Sequence, residues 1–568
     1  MLLFFYLIAS YVLYTLVDSS AIADSGYISP LNTLAGFMLI SALVWSIGQI
    51  AGYFAIKNIR NKKYHLANLL RSTILVFAFA MFVLLVIKFH WRHFIIDIDI
   101  FGISMGKIPV VKELLFIIPA ILNYLLILFS LYKIDRVARK EDFSFTQYLD
   151  FNLRLLLIPL PLMMMISIAE FILSLVNAES NFFSSLEFAA PTVSMILMLL
   201  PVVVIAIFFP LLIRMILRAK VMPESTMKQE LREIAIKAKV KYRNILVWQT
   251  GELKIPNAMV VGFFSFVRYV FITDAILQNF TSDEIKGVFA HELGHARKGH
   301  LQIYFLSLVS FIFISFLILE PLSLNLGFMF NLSSGNILAL REMFSVLGLL
   351  CMFGFLIGFI SRKFERQADL FAANLISNNS FIDALFGIAR IYGGGILSKP
   401  SITHGSIQSR INFIYAAEYN PKIAEGFNRQ MKILFSMLLA IIAATSVLLV
   451  KEIYTEIDTF SGKTAIYDAD EIINSFDDKG YLSVKDEKEI EKQLEYAAMT
   501  PVLIPEIHYI RAMRLLRFPQ KKQDIDKATA LLRKALNNKK ISLFFRLVVQ
   551  SRLEELNNVK INAELYNQ

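Results

Sequence analysis

Long apolar runs separated by short charged loops set the pattern of this chain as far as Val450. Eight runs reach, or nearly reach, the roughly eighteen residues that a helix needs to cross a bilayer. They are Leu34 to Ile56, Leu69 to Trp91, Val111 to Ile134, Leu155 to Val176, Phe188 to Leu217, Ile303 to Leu322, Met343 to Ile360, and Ile433 to Val450. A ninth, Leu2 to Val17, is short. It lacks a basic start and a convincing small-residue cleavage site, so it reads as a retained first span rather than a signal peptide. The expected organisation is an N-terminal membrane bundle (1–217), a polar segment (218–302), a membrane hairpin (303–360), a second polar segment (361–432), a last span (433–454) and a C-terminal segment (455–568).

Composition agrees with a membrane protein: 56% of the 568 residues are hydrophobic and the mean hydropathy is +0.58, far from soluble averages. The formal charge of +11 could suggest nucleic acid as a partner. Its cations instead cluster in short loops beside apolar runs, with no basic and aromatic reading surface, so no nucleic-acid partner is expected. Lys57, Arg60, Lys62, Lys63 and Arg71 crowd one loop, Lys133, Arg136, Arg139 and Lys140 the next loop but one, and Arg214, Arg218 and Lys220 follow the fifth long run. The loops around Asp97 and around Glu179 to Glu187 are poorer in cations. That alternation puts the cation-rich loops, and with them 218–302 and 361–432, in the cytoplasm, and the tail after Lys451 on the opposite side. The single cysteine, Cys351, excludes an intramolecular disulfide and a cysteine zinc cluster.

Within the spans, Pro159, Pro161, Pro191, Pro201 and Pro210 predict kinks, because each removes a backbone donor. Glu170 lies in the fourth long run, facing either a water-filled chamber or the membrane interface. Beyond Lys451, Ile525 to Leu536 has the helical period. The tail is either a small helical domain or a solvated segment.

The strongest local signal is His291-Glu292-Leu293-Gly294-His295. Thr281-Ser282-Asp283-Glu284 precedes it with capping-box spacing, and Ile285, Val288 and Phe289 recur at helical spacing, so the motif sits on a helix. Residues four apart stack on one face. Both imidazoles can therefore reach one zinc ion, while Glu292 lies about a quarter-turn away, placed as a general base. A catalytic zinc needs a third protein ligand. In Ser361 to Asp369, Glu365 can bind the metal and Asp369, one turn on, can orient a ligating imidazole. The intervening apolar hairpin returns the chain to the membrane face it left.

HELGH with His300 five residues on, followed much later by Phe364-Glu365-Arg366-Gln367-Ala368-Asp369, resembles the gluzincin membrane peptidases, which include the type I CaaX prenyl endopeptidases and the HtpX proteases. The second string and His300 are closer to the CaaX branch. The resemblance covers roughly Pro223 to Ala416. It implies one zinc ion held by His291, His295 and Glu365, with Asp369 supporting. It also implies a mainly α fold: a polytopic transmembrane helix bundle with a membrane-associated zincin-like α+β metallopeptidase domain and a helical C-terminal domain. Pro256 to Gly262 has strand character and resembles the family's edge strand, where Asn257 and Ala258 would bind an extended substrate through the main chain. His404 and Arg410 stand at the spacing of a His and an Arg that steady the oxyanion or the substrate in that family, although Gly405 replaces the usual Pro.

These parts describe an endopeptidase in which zinc activates water and polarises the scissile carbonyl, Glu292 moves the proton, and His404 and Arg410 stabilise the oxyanion. Its substrates would be membrane-associated or lipid-linked proteins or peptides, taken either in prenyl-protein processing or in membrane-protein quality control. The expected location is a multi-pass cell (inner) membrane, among its lipids, with the site on the cytoplasmic side and the C-terminal domain outside. A non-catalytic transporter or scaffold with a structural zinc is the alternative, and Glu292 argues against it, because a structural site needs no base. His90 and His93 beside Trp91 read as interfacial anchors, His300 as off the ligand face, and His65 and His508 as without partners.

Overall fold

The computed structural model describes residues 6, 9–10, 13, 29–96, 99–100, 103–104, 109–159, 190–392, 405–474, 483–517 and 523–566. Most of Leu2 to Val17, most of Leu155 to Val176 with Pro161 and Glu170, and His404 lie outside the described residues. Six helices among the described residues are long and apolar enough to cross a membrane: Pro30–Arg60 (α1), Tyr64–Lys88 (α2), Val110–Arg139 within Pro109–Arg139 (α3), His300–Met329, Ser334–Leu375 and Pro421–Asn474. Each covers one of the expected spans. The helix Pro191–Ile216 covers a further one and runs through Pro201 and Pro210.

The chain divides into two compact units. The first comprises Met1–Phe171, Pro201–Leu308 and Cys351–Leu438; the second comprises Ile172–Leu200, Val309–Leu350 and Leu439–Gln568. In the first unit α1, α2 and α3 bury Ile40 and Val44, Phe82 and Leu85, and Phe116 and Ile127 in one core. Asp135 of α3 is buried, and it is held by Arg71 at 2.6 Å and by the hydroxyl of Tyr148 at 2.8 Å. Tyr148 lies on Phe145–Leu157 (α4).

A four-stranded sheet forms the polar half of this unit: Lys220–Val221 (β1), Asn244–Trp248 (β2), Ala258–Val261 (β3) and Tyr269–Thr273 (β4), in the order β1-β2-β4-β3. β2 and β4 run parallel with Ile245 opposite Val270, while β3 is antiparallel to β4 with Val260 opposite Val270. β2 and β4 are almost continuously apolar, as strands covered on both faces are. Alternate side chains go to different cores. Leu246, Trp248, Tyr269 and Phe271 meet Ile213 and Leu217, with Phe151 stacked on Trp248. Ile245, Val247, Val270 and Ile272 instead meet three helices: Thr226–Lys237 (α5), Ser282–Lys298 (α6) and Asn378–Tyr392 (α8), the last following Ser361–Leu375 (α7). β3 is left at the sheet edge.

Three expected boundaries fall inside continuous helix. The helix Ser334–Leu375 passes through a π-helical stretch, Gly354–Ile360, directly into α7, so the boundary at 360/361 is no break. Likewise Pro421–Asn474 is one helix of 54 residues. At about 1.5 Å per residue it is more than twice the thickness of a hydrocarbon layer. The 432/433 and 454/455 boundaries both lie within it.

In the second unit the tail is helical rather than merely solvated. Val484–Ala498 and Ile504–Arg517 share a core with Ile466 and Ile473, while Gln523–Leu536 and Leu543–Tyr566 pack through Leu532, Val549 and Leu553. Glu456 accepts hydrogen bonds from the amides of Thr192 and Val193 at 2.8 and 3.3 Å, closing the start of the helix at Pro191.

Candidate metal centre

The site is built on α6, and the sequence fixes where α6 starts and stops. Thr281 caps it and exchanges hydrogen bonds with Glu284 in a capping box. Such a cap stabilises a helix by about 1 kcal/mol. Glu284 also receives Arg390 of α8 at 2.9 Å. Gly299, at φ 70°, ends the helix in the left-handed region, and the chain restarts as a new helix at His300. Between these ends, Val288, Phe289 and Leu293 bury the inner face.

Gly294, the fourth residue of HELGH, sets the approach of α7. A Cβ there would lie 3.0 Å from the Ala368 Cα and 3.2 Å from the Ala368 carbonyl oxygen. Its absence lets the two helix backbones come together, which brings Glu365 over the histidines. His291 Nε2 and His295 Nε2 are 3.1 Å apart. Glu365 Oε2 is 3.6 Å from the former, and its Oε1 is 3.5 Å from the latter. A tetrahedral ion bonded at about 2.0–2.1 Å holds its ligand atoms roughly 3.3–3.4 Å apart. Each histidine lies near that figure from one of the two carboxylate oxygens, and one ligand atom from each residue lies within 4.8 Å of the others, so the donor set suits one zinc ion.

The other imidazole nitrogens are held from behind. His291 Nδ1 lies 3.0 Å from Asp369 Oδ1. Asp369 is fully buried, and Arg410, on Ile407–Tyr419 (α9), forks onto it through Nε at 2.8 Å and Nη2 at 2.5 Å. Arg410 Nη1 is 3.6 Å from Glu365 Oε2. His295 Nδ1 is 2.9 Å from His300 Nδ1, whose Nε2 is 2.8 Å from Gln367 Oε1. Burial works against charge on His291, but hydrogen bonds to Asp369 and Glu365 outweigh it and push its pKa up to about 9. His295 moves the other way: burial and the neighbouring His291 hold it well below the usual imidazole range.

Glu292 points to the sheet edge, where its Oε2 accepts the amide of Val260 at 3.0 Å. Asn257 gives its carbonyl to the Thr273 amide, and its own amide donates to the Thr273 hydroxyl, so its main chain faces β4. By the alternation of an antiparallel pair, Ala258 and Val260 carry the outward main-chain groups. A cavity of about 210 Å³ opens beside Glu365, lined by Arg362, Arg366, Ser406, Ser409 and Arg410.

The structure thus brings together His291, His295, Glu365, Glu292, Asp369 and Arg410, and it puts Ala258 on the edge beside them. His404 lies outside the described residues, and Arg410, as placed, is engaged by Asp369. Sequence reasoning read His300 as off the ligand face and passed over Gln367 and Val260. The one signal for His300 and Gln367 was their position next to the two motifs.

The family model described as Peptidase family M48 matches residues 222–418. Two curated relatives, each a CAAX prenyl protease 1 homolog, are 28% identical over 159 residues. The one from Oryza sativa subsp. japonica aligns over 27% of this chain and 37% of its own length, the one from Arabidopsis thaliana over 27% and 38%. The chain therefore spans less than two fifths of these relatives. A solved structure, the crystal structure of S. mikatae Ste24p, has a TM-score of 0.45 and 16% identity, covering 68% of this chain and 99% of that one.

Proposed function

We propose, from the match of residues 222–418 to the model of Peptidase family M48, that the chain is a zinc-dependent membrane endopeptidase acting on membrane-associated or lipid-linked proteins. The observation that carries the reading is the convergence of His291, His295 and the Glu365 carboxylate, one ligand atom from each lying within 4.8 Å of the others, with Glu292 of the same helix as the histidines bonded to the Val260 amide of the edge strand.

When bound, zinc supplies Lewis-acid polarisation of the scissile carbonyl and lowers the pKa of water. The chain's own residues do the rest. β3 offers the outward main-chain groups of Ala258 and the carbonyl of Val260 to an extended substrate, the Val260 amide being held by Glu292, which suits a peptidase indifferent to many side chains. Asn257 holds that strand to β4. Glu292 takes the proton of the attacking water and returns it to the leaving amine. Asp369 keeps the His291 ring turned inward. Arg410 holds Asp369 ionised and places positive charge beside Glu365, and His404 would donate to the oxyanion from the segment before α9. The cation-rich loops favour a cytoplasmic site in a multi-pass cell membrane, with the C-terminal helices on the other side. The name of the two relatives, CAAX prenyl protease 1 homolog, favours prenylated proteins over misfolded membrane proteins as substrates.

The test is cleavage of a farnesylated and an unmodified C-terminal peptide by wild type and Glu292→Gln. Wild type should cut the farnesylated peptide, and the variant should keep its zinc and lose at least about a hundredfold in kcat. Equal rates would refute the assignment of Glu292. Equal use of both peptides would refute the substrate preference.

A further inference from the structure

The buried pair His300 and Gln367 has no part in the chemistry above. Each is less than a tenth exposed. His300 lies flat on Phe364, with ring centroids 4.0 Å apart and planes within 3°. That stacking fixes the plane of its ring and aims its two nitrogens in opposite directions, at His295 Nδ1 (2.9 Å) and at Gln367 Oε1 (2.8 Å).

We propose that Gln367 and His300 form a hydrogen-bond relay that sets the tautomer of His295 and so makes it a zinc ligand. The inference rests on the metal-site reading above. A neutral imidazole carries one donor and one acceptor, and an amide oxygen only accepts. Gln367 Oε1 therefore requires the proton on His300 Nε2. His300 Nδ1 is then an acceptor, which requires the proton on His295 Nδ1. That leaves the lone pair of His295 on Nε2, facing His291 Nε2 and Glu365. The amide turned the other way would reverse every link and place a hydrogen on His295 Nε2, where the ion belongs. Outer partners of this kind orient metal-binding imidazoles, and their loss typically costs about 10- to 100-fold in metal affinity.

The same helix thereby controls both histidines. Asp369 of α7 receives His291 directly, while Gln367 of α7 reaches His295 through His300. Glu365 lies on α7 between Phe364 and Gln367, so one helix supplies the third ligand and both settings. Gln367 and His300 are positioning residues and touch neither substrate nor ion.

Zinc affinity of the full chain in detergent, measured by competition with a chromogenic chelator, tests the relay, with the visible absorption of the Co²⁺ form as a second readout. Gln367→Met keeps the length and removes the acceptor; it should bind zinc at least about tenfold more weakly. Gln367→Glu still only accepts, and it should bind as tightly as wild type or tighter. His300→Phe keeps the stack on Phe364 and should lose affinity as Gln367→Met does, with an altered Co²⁺ spectrum. Helical content and unfolding temperature show which variants are folded. Wild-type affinity and spectrum in both Gln367→Met and His300→Phe would overturn the relay, as would equal losses in Gln367→Met and Gln367→Glu. Failure of the wild type itself to bind zinc would instead overturn the metal site, and the relay with it.

Discussion

Gly294→Ala adds one methyl group to α6 at the point where α7 comes closest. The new Cβ would sit 3.0 Å from the Ala368 Cα, 3.2 Å from the Ala368 carbonyl oxygen and 3.2 Å from a Phe371 ring carbon. Carbon atoms pack best at about 3.5–4.0 Å, so α6 and α7 must part by about 0.5–1 Å. Overpacking of this kind costs roughly 1–3 kcal/mol. The better helix propensity of alanine offsets up to about 1 kcal/mol of that. Net destabilisation of about 0–3 kcal/mol leaves the protein folded. The metal site tolerates far less, because ligand distances must hold to about ±0.2 Å and Glu365 sits one turn from Ala368. Zinc affinity should therefore fall tenfold or more, about 1.4 kcal/mol or above, in a protein that still unfolds near the wild-type temperature. Gly287→Ala is the control. Its Cβ would lie 2.6 Å from the Ala384 Cβ on α8, which carries no ligand, so stability should fall and zinc affinity should not. Chelator competition and thermal unfolding read the two effects separately. Wild-type zinc affinity in folded Gly294→Ala would refute the claim that this glycine sets the position of Glu365.

Three further outcomes follow from the same geometry. His291 holds a proton up to about pH 9 and must lose it to bind an ion, so apparent zinc affinity should rise about tenfold per pH unit toward pH 9 and level off above it; an affinity flat from pH 6 to 9 would contradict this. Val260→Pro removes the outward amide that holds Glu292 while leaving the pairing with β4 intact, since proline is tolerated at a strand edge; peptide cleavage should fall at least about tenfold with zinc content unchanged, and an unchanged rate would refute a role for this bond in placing Glu292. In the C-terminal helices, burial pushes Glu506 up to about 7, against its own backbone hydrogen bond and the charge of Lys463. The folded form then binds the proton more tightly than the unfolded chain, and stability falls as pH rises from about 4.5 to 7. Glu506→Gln should relieve up to about 3 kcal/mol at pH 8, seen as slower amide exchange in Ile504–Arg517; faster exchange would contradict it.

What could be read from the sequence followed from local rules. Six of the apolar runs are helices long and apolar enough to cross a membrane among the described residues, because that is a matter of length and composition, and Thr281, Glu284 and Gly299 marked α6 because caps act within a turn. Glu365 and Asp369 were legible because a motif one turn long carries both. The helix through 361–375 was not, because charged residues follow an apolar run without a proline or a cap to stop it, and a π-helical stretch, Gly354–Ile360, absorbs the change of face. The pairing of His300 with Gln367 spans 67 residues and depends on how closely α6 and α7 approach, which no local pattern records. The edge position of β3 was expected from a resemblance. Which of its residues face outward was not, because that parity is set by the bond between Asn257 and Thr273.

The site stands or falls on one zinc ion gripped by two imidazoles and a carboxylate. X-ray absorption at the zinc edge, on the purified full chain, tests it most directly. About one zinc per chain is expected in a shell of nitrogen and oxygen only, with the scattering of two imidazoles, unchanged in Glu292→Gln and lost or rearranged in Glu365→Ala. A preparation that binds no zinc at equimolar metal, or a shell without imidazole, would contradict it.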